Sequence, residues 1–141
     1  MVVTHKLYGP AMKNILDGTV DLDGHTFKVA LMSSGFSFNQ DDANWDNTHE
    51  ISSTDYTNDG ETLAIAGTDM TYNGGVTAVV CSSETVFSTE GTISAHHAVV
   101  YGSTTDKLLS AVDFNGEEGS VDGEYKITWT DSKLFTITVS T

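Results

Sequence analysis

Only one segment of this chain carries apolar side chains at helical spacing. Tyr8, Ala11, Met12, Ile15 and Leu16 make a single stripe near the start. Asp17-Gly18 supplies the stop, because Gly18 can take the left-handed conformation that ends a helix. Pro10 fits a helix that begins just before it, with Gly9 as its cap. A start as early as Thr4 would put a bend at Pro10 instead.

Everything after Gly18 reads as strands. HTFKVALM (residues 25–32) alternates Phe27, Val29 and Leu31 with smaller or more polar neighbours. TLAIAG (62–67) is a short strand. MTYN (70–73) and VTAVVC (76–81) flank Gly74-Gly75, a hairpin signal. ETVFST (84–89), ISAHHAVVYG (93–102), KLLSAVDF (107–114), YKITWT (125–130) and KLFTITVS (133–140) follow, and Asp131-Ser132 reads as a tight hairpin between the last two. Many short strands with Gly-, Asn- and Asp-rich turns predict a mainly β, antiparallel sandwich or barrel-like domain with one short N-terminal helix. At 141 residues the chain is expected to form one domain, residues 1–141, with an N-terminal arm and helix over about residues 1–18. The expected core includes Val29, Leu31, Val79, Val99, Ile127, Trp129 and Ile137.

Two segments do not read as strands. Residues 33–47, SSGFSFNQDDANWDN, form a long polar loop carrying Phe36, Phe38 and Trp45. Its aromatics either anchor an interface or fold back to plug the end of the sandwich. Residues 116–123, GEEGSVDG, read as an acidic turn.

Charge narrows the functions. There are 20 Asp and Glu against 6 Lys, with no arginine, for a formal charge of -14. Nucleic-acid binding depends on cationic contacts to phosphate, so no nucleic-acid partner is expected. Attraction to anionic lipid is disfavoured for the same reason, and no apolar run is long enough for a membrane span. The N-terminus lacks a signal-peptide core, so the expectation is a soluble chain made in the cytoplasm, or one exported by a route the sequence does not show. A lone Cys81 excludes an intrachain disulfide and reads as a small buried residue.

Candidate chemistry is sparse. His96 and His97 are neighbours on a strand and point to opposite faces, so they cannot grip one ion together. Alternation puts His97 with Ile93, Val99 and Tyr101 on the more apolar side, and His96 with Ser94 and Ala98 nearer the surface. Asp42, Asn44 and Asp46 have the D-x-N-x-D spacing that opens many calcium loops, but Ser53 stands where the closing Glu belongs. No nucleophile elbow, HExxH or phosphate loop occurs. The expectation is a protein that is not an enzyme, with no cofactor.

Three blocks carry a resemblance. KLYGPAMKNILDGTVDLDGHTFKVALMSS, ISSTDYTNDGETLAIAGTDMTYNGG and AHHAVVYGSTTDKLLSAVDFNGEEGSVDGEYKITWT resemble the opening, middle and end of small virion structural proteins of tailed bacteriophages. The likeness is one of strands and turns and spans nearly the whole chain. It implies a capsid decoration, cement or head-fibre component on the capsid exterior. The implied partners are the major capsid protein and further copies of the chain, as a homotrimer. The N-terminal segment and the aromatic loop are then the docking candidates: Tyr8, Met12, Phe36, Phe38 and Trp45. The competing expectation is a receptor- or carbohydrate-binding sandwich on the virion, with Trp45, Phe36 and Phe38 stacking on sugar.

Overall fold

The strongest β-forming runs make the centre of a five-stranded antiparallel sheet. In a computed structural model, which describes residues 3–65 and 70–139, its strands are β1 (Thr4–Leu7), β2 (Phe27–Met32), β3 (Glu61–Leu63), β6 (Glu84–Gly102) and β7 (Lys107–Thr128). Their order is β1-β7-β6-β2-β3. A smaller antiparallel sheet, β4-β5-β8, is made of β4 (Thr71–Asn73), β5 (Val76–Val80) and β8 (Lys133–Thr138). Among the described residues the fold is thus mainly β, with two antiparallel sheets and one short helix, and the sheets do not close into a barrel.

The helix α1 spans Gly9–Leu16, with Tyr8 rather than Gly9 at its cap and Pro10 in its first turn, where the missing N–H costs nothing. Its buried residues are Ala11 and Asn14, and Leu16 is 80% exposed. The stripe read from the sequence therefore fails at Leu16, because the helix ends there and leaves that side chain outside the sheet contact. Gly18 does adopt the left-handed conformation, at φ 81°.

Central strands are buried on both faces. Val29 to Met32, Ala98 to Gly102 and Leu108 to Val112 are continuous runs with almost no exposure, as expected of strands covered by a layer on each side. The smaller sheet joins this core through Val79, Cys81 and Leu134. Trp129 is also buried, and its indole N–H donates to Thr85 Oγ1 at 3.0 Å. Two expected core residues are placed differently. Ile127 is half-buried, and Ile137 is 42% exposed because the outer end of the smaller sheet extends past the core.

Several expected breaks are not breaks. ETVFST and the histidine strand form one continuous β6 of 19 residues, and KLLSAVDF and YKITWT form one β7 of 22. The acidic stretch 116–123 is part of β7, not a turn. Between the pairs Ala95↔Glu118 and His97↔Asp113, only His96 on β6 stands against four residues of β7. The surplus is absorbed as a bulge, where Asn115 and Gly116 take positive φ. A second bulge, at Asp122 (φ 47°), lies between the pairs Gly91↔Gly123 and Ile93↔Ser120. The Gly and Asp residues that mimic turn chemistry serve these bulges.

Asp131-Ser132 is likewise no hairpin. It lies in a 3-10 turn, Thr130–Ser132, that sends the chain to the other sheet, where β8 pairs with β5. The Gly74-Gly75 hairpin does form, with positive φ at both glycines, as a tight hairpin turn requires. Of TLAIAG only Thr62 and Leu63 lie in a strand, β3 (Glu61–Leu63), with Ile65 adding a single pair to Cys81, and Ala66 and Gly67 lie outside the described residues.

Beyond Val29 the outer side of β2 is covered by a loop. Ile51 N–H donates to the Leu31 carbonyl at 3.0 Å, and Leu31 N–H donates to the Tyr56 hydroxyl at 3.0 Å. Tyr56 donates in turn to Glu50 Oε1 at 2.7 Å. Gly60 presses on this edge so closely that a Cβ there would sit 2.0 Å from the Val29 carbonyl oxygen.

Replacing Trp129 with Ala is expected to cost about 3–5 kcal/mol, since it removes a large buried ring and strands the Thr85 hydroxyl. Ile137→Ala, at an exposed site, should cost well under that. Paired denaturant titrations check both, and equal losses would contradict the placement.

Candidate functional site

Strand register assembles the platform on which the long loop rests. Thr4, Asp113, His97 and Met32 form one cross-strand row, and Lys6, Ala111, Val99 and Ala30 form the row two residues on. Alternation therefore puts Lys6, His97, Val99 and Tyr101 on one face. Residues 33–47 leave β2 and cross this face.

Each loop aromatic meets a ring. Phe36 lies edge-on to His97, with ring centroids 5.1 Å apart. Phe38 packs on Tyr8 at 4.8 Å, and the Lys6 ammonium sits 5.4 Å from its ring centre. Trp45 stacks on Tyr101 at 4.3 Å with the planes only 7° apart. Such contacts add about 0.5–1.5 kcal/mol each beyond the area they bury.

Backbone bonds hold the loop in place. Gly9 N–H donates to the Gln40 carbonyl at 2.7 Å, Trp45 N–H to Asp106 at 2.7 Å, and Leu108 N–H to Ala43 at 3.0 Å. The Lys107 ammonium donates to Asn44 Oδ1 at 2.7 Å. Of the two readings of this loop, folding back is the one the packing follows: Phe36, Phe38 and Trp45 are half-buried against the core.

The five interface candidates therefore divide. Tyr8 is 2% exposed and belongs to the core, so it offers nothing to a partner. Met12, Phe36, Phe38 and Trp45 keep part of their surface in solvent. Trp45 borders an open cavity of about 500 Å³ lined by Asn44, Asp46, Asn47, Asp59 and Asp106. A smaller groove of about 180 Å³ lies beside Phe36 and Phe38, with His97 and Asp113 in its wall. On the other face of the sheet, Phe114, Tyr125, Ile127 and Trp129 line a further cavity of about 590 Å³.

The oxygens of Asp42, Asn44 and Asp46 face local partners. Asn39 Nδ2 donates to Asp42, Lys107 holds Asn44, and both the amide and hydroxyl of Thr48 donate to Asp46. These last bonds hold the Asp46 carboxyl below its usual range. Among the described residues, no three His, Cys, Asp or Glu side chains gather as metal ligands. Burial pushes the Cys81 thiol up to about 11, which leaves it protonated and inert.

His96 and His97 are both half-buried, so the division into one core and one surface histidine does not hold. His97 does lie on the face packed by the loop. Its Nδ1 is 3.7 Å from Asp113 Oδ1, at the margin of an ion pair. His96 stands opposite the β7 bulge. Sequence reasoning named the loop aromatics but missed Lys6 and Tyr101 as the groups beneath them. The signal was available: Tyr101 lies two and four residues from Val99 and His97.

No family model, curated protein or solved structure matches this chain.

Burial pushes the His97 pKa down from 6.5; the nearby Asp113 carboxylate opposes the shift and His96 adds to it. The unfolded chain therefore binds a proton here more readily than the folded one. This histidine makes stability rise with pH through the window just below 6.5, with its full contribution present above it. His97→Gln should flatten that part of the stability profile. Melting temperatures measured in small pH steps check this, and an unchanged slope would contradict it.

Proposed function

We propose that this chain is a non-enzymatic virion structural protein, a decoration or cement protein that docks on the outside of a phage capsid through its major capsid protein. The observation that carries the reading is where the resembling motifs lie. Within the third resembling block, residues 95–130, the recurring elements are Val99-Val100-Tyr101, Leu108-Leu109 and Ile127-Thr128-Trp129, and they fall on or just beyond the two long paired strands, β6 and β7. The resemblance thus runs through the central ribbon of the fold. The chemistry is compatible: a cement protein needs a stable module and a matched surface, and a charge of -14 is tolerable outside a shell but unfavourable beside packaged DNA. Many copies on a symmetric shell favour self-association, with a homotrimer as the expected form. The half-exposed Met12, Phe36, Phe38 and Trp45 are the docking residues this reading uses.

A second reading draws on the cavity beside Trp45. An aromatic ring flanked by Asn44, Asn47 and three aspartates is suited to stacking and hydrogen bonding with a sugar. This favours a receptor- or carbohydrate-binding module on the virion.

Particles stripped of this protein separate the two. Under the first reading purified protein rebinds them, Trp45→Ala weakens binding by about 2 kcal/mol or more, and His96→Ala has little effect. Free oligosaccharides should not compete. Failure of the wild-type chain to rebind would overturn the cement role, and competition by sugar would favour the second reading. An electron-microscopy map of the assembled particle would show which face meets the shell.

A further inference from the structure

Charge is unevenly placed on this molecule. None of its 20 acidic residues lies in β4, β5 or β8, and the only charged side chain in those three strands is Lys133. The strands of the smaller sheet thus carry no carboxylate on a chain of net charge -14.

One face of that sheet begins as core and ends as open surface. Val79 opposite Phe135 is the inner end, where Val79 is 2% exposed. Two residues outward, Tyr72, Thr77 and Ile137 form the next cross-strand row on the same face. Tyr72 is 73% exposed and Ile137 42%, and Val139, two residues further on, is 69% exposed. The outer side of β8 pairs with no other strand among the described residues. Its sequence, KLFTIT, has a lysine at its first position and no proline, so little in it guards against pairing with another chain.

We infer that this face, centred on Tyr72, Ile137 and Val139, is the contact surface between copies of this chain. Copies this acidic repel one another across most of their surface, and the repulsion is weakest where carboxylates are absent. An uncharged apolar patch is also compatible with its own copy, whereas an acidic one is not. The inference deepens the reading above, of which self-association is one part.

Sedimentation equilibrium of the full chain, over a range of protein concentrations at low and high sodium chloride, tests it without particles. Association should tighten with salt as the carboxylates are screened. Ile137→Lys and Tyr72→Glu should each weaken it tenfold or more, with circular dichroism confirming the fold. Leu16→Lys and Val121→Lys remove even more exposed apolar groups elsewhere and should leave it as in the wild type. A chain that is monomeric at every concentration and salt level overturns the interface. So does an oligomer indifferent to both sheet substitutions, or one broken by Leu16→Lys. A monomer that still rebinds stripped particles would sink this interface and leave the capsid role standing, while a salt-tightened oligomer that ignores particles would do the reverse.

Discussion

The pairing of β6 with β7 is the constraint on which the rest of this structure depends. The ladder runs from Gly102↔Lys107 to Glu84↔Thr128. Its inner half carries the buried runs 98–102 and 108–112; β2 and β1 add to the two sides of that half, and β3 adds to β2. Its outer half leaves the sheet as a two-stranded ribbon, whose exposed β7 residues include Glu117, Asp122 and Val121. A two-stranded ribbon has too little apolar surface to stand alone in water. Here it is tied back: Phe87 packs near Tyr56, and Asp55 accepts from Thr92 N–H at 2.9 Å.

Much of this was legible in the sequence. The single helix, the Gly74-Gly75 hairpin and the positions of most strand cores follow from apolar periodicity and turn chemistry, which are local. Strand continuity was not legible. Gly116, Gly119 and Asp122 carry the composition of a turn, and only the partner strand decides that a bulge forms instead. The link from β7 to β8 failed for a related reason. Asp131-Ser132 has the residues for reversal, and Ser132 does take positive φ, but the hydrogen bonds of β8 go to β5. Pairing partners are a tertiary choice that neither segment encodes alone.

The candidate site was half legible. Phe36, Phe38 and Trp45 stood out because large rings are unusual in a polar loop. Their platform depends on register across strands distant in sequence, which no local pattern gives. The same limit explains Tyr8, whose helical spacing was plain and whose complete burial under Phe38 was not. Ile137 fails in the opposite sense: its alternation on β8 is sound, but the sheet it belongs to runs beyond the core. The Glu50–Tyr56 link to the β2 edge had no visible sequence signal at all.

The seating of the aromatic loop also bears on the order in which the chain acquires its structure. Residues 33–47 emerge early in synthesis, just after β2; Phe38 and Gln40 rest on Tyr8, Lys6 and Gly9, which precede them, but the other groups they rest on include Tyr101, His97, Asp106 and Leu108. None of these later groups is in place until β6 has paired with both β2 and β7. Closing so long a span earlier would cost chain entropy with no contact to offset it. Phe36 and Trp45 therefore gain their ring partners only once β6 is in place, whereas Phe38 has Tyr8 and Lys6 before it in the chain. Unseated rings such as Phe36 and Trp45 are a liability in a nascent chain, and the polar residues between them, Ser37, Asn39, Gln40, Asp41 and Asp42, keep the segment solvated until that seat exists.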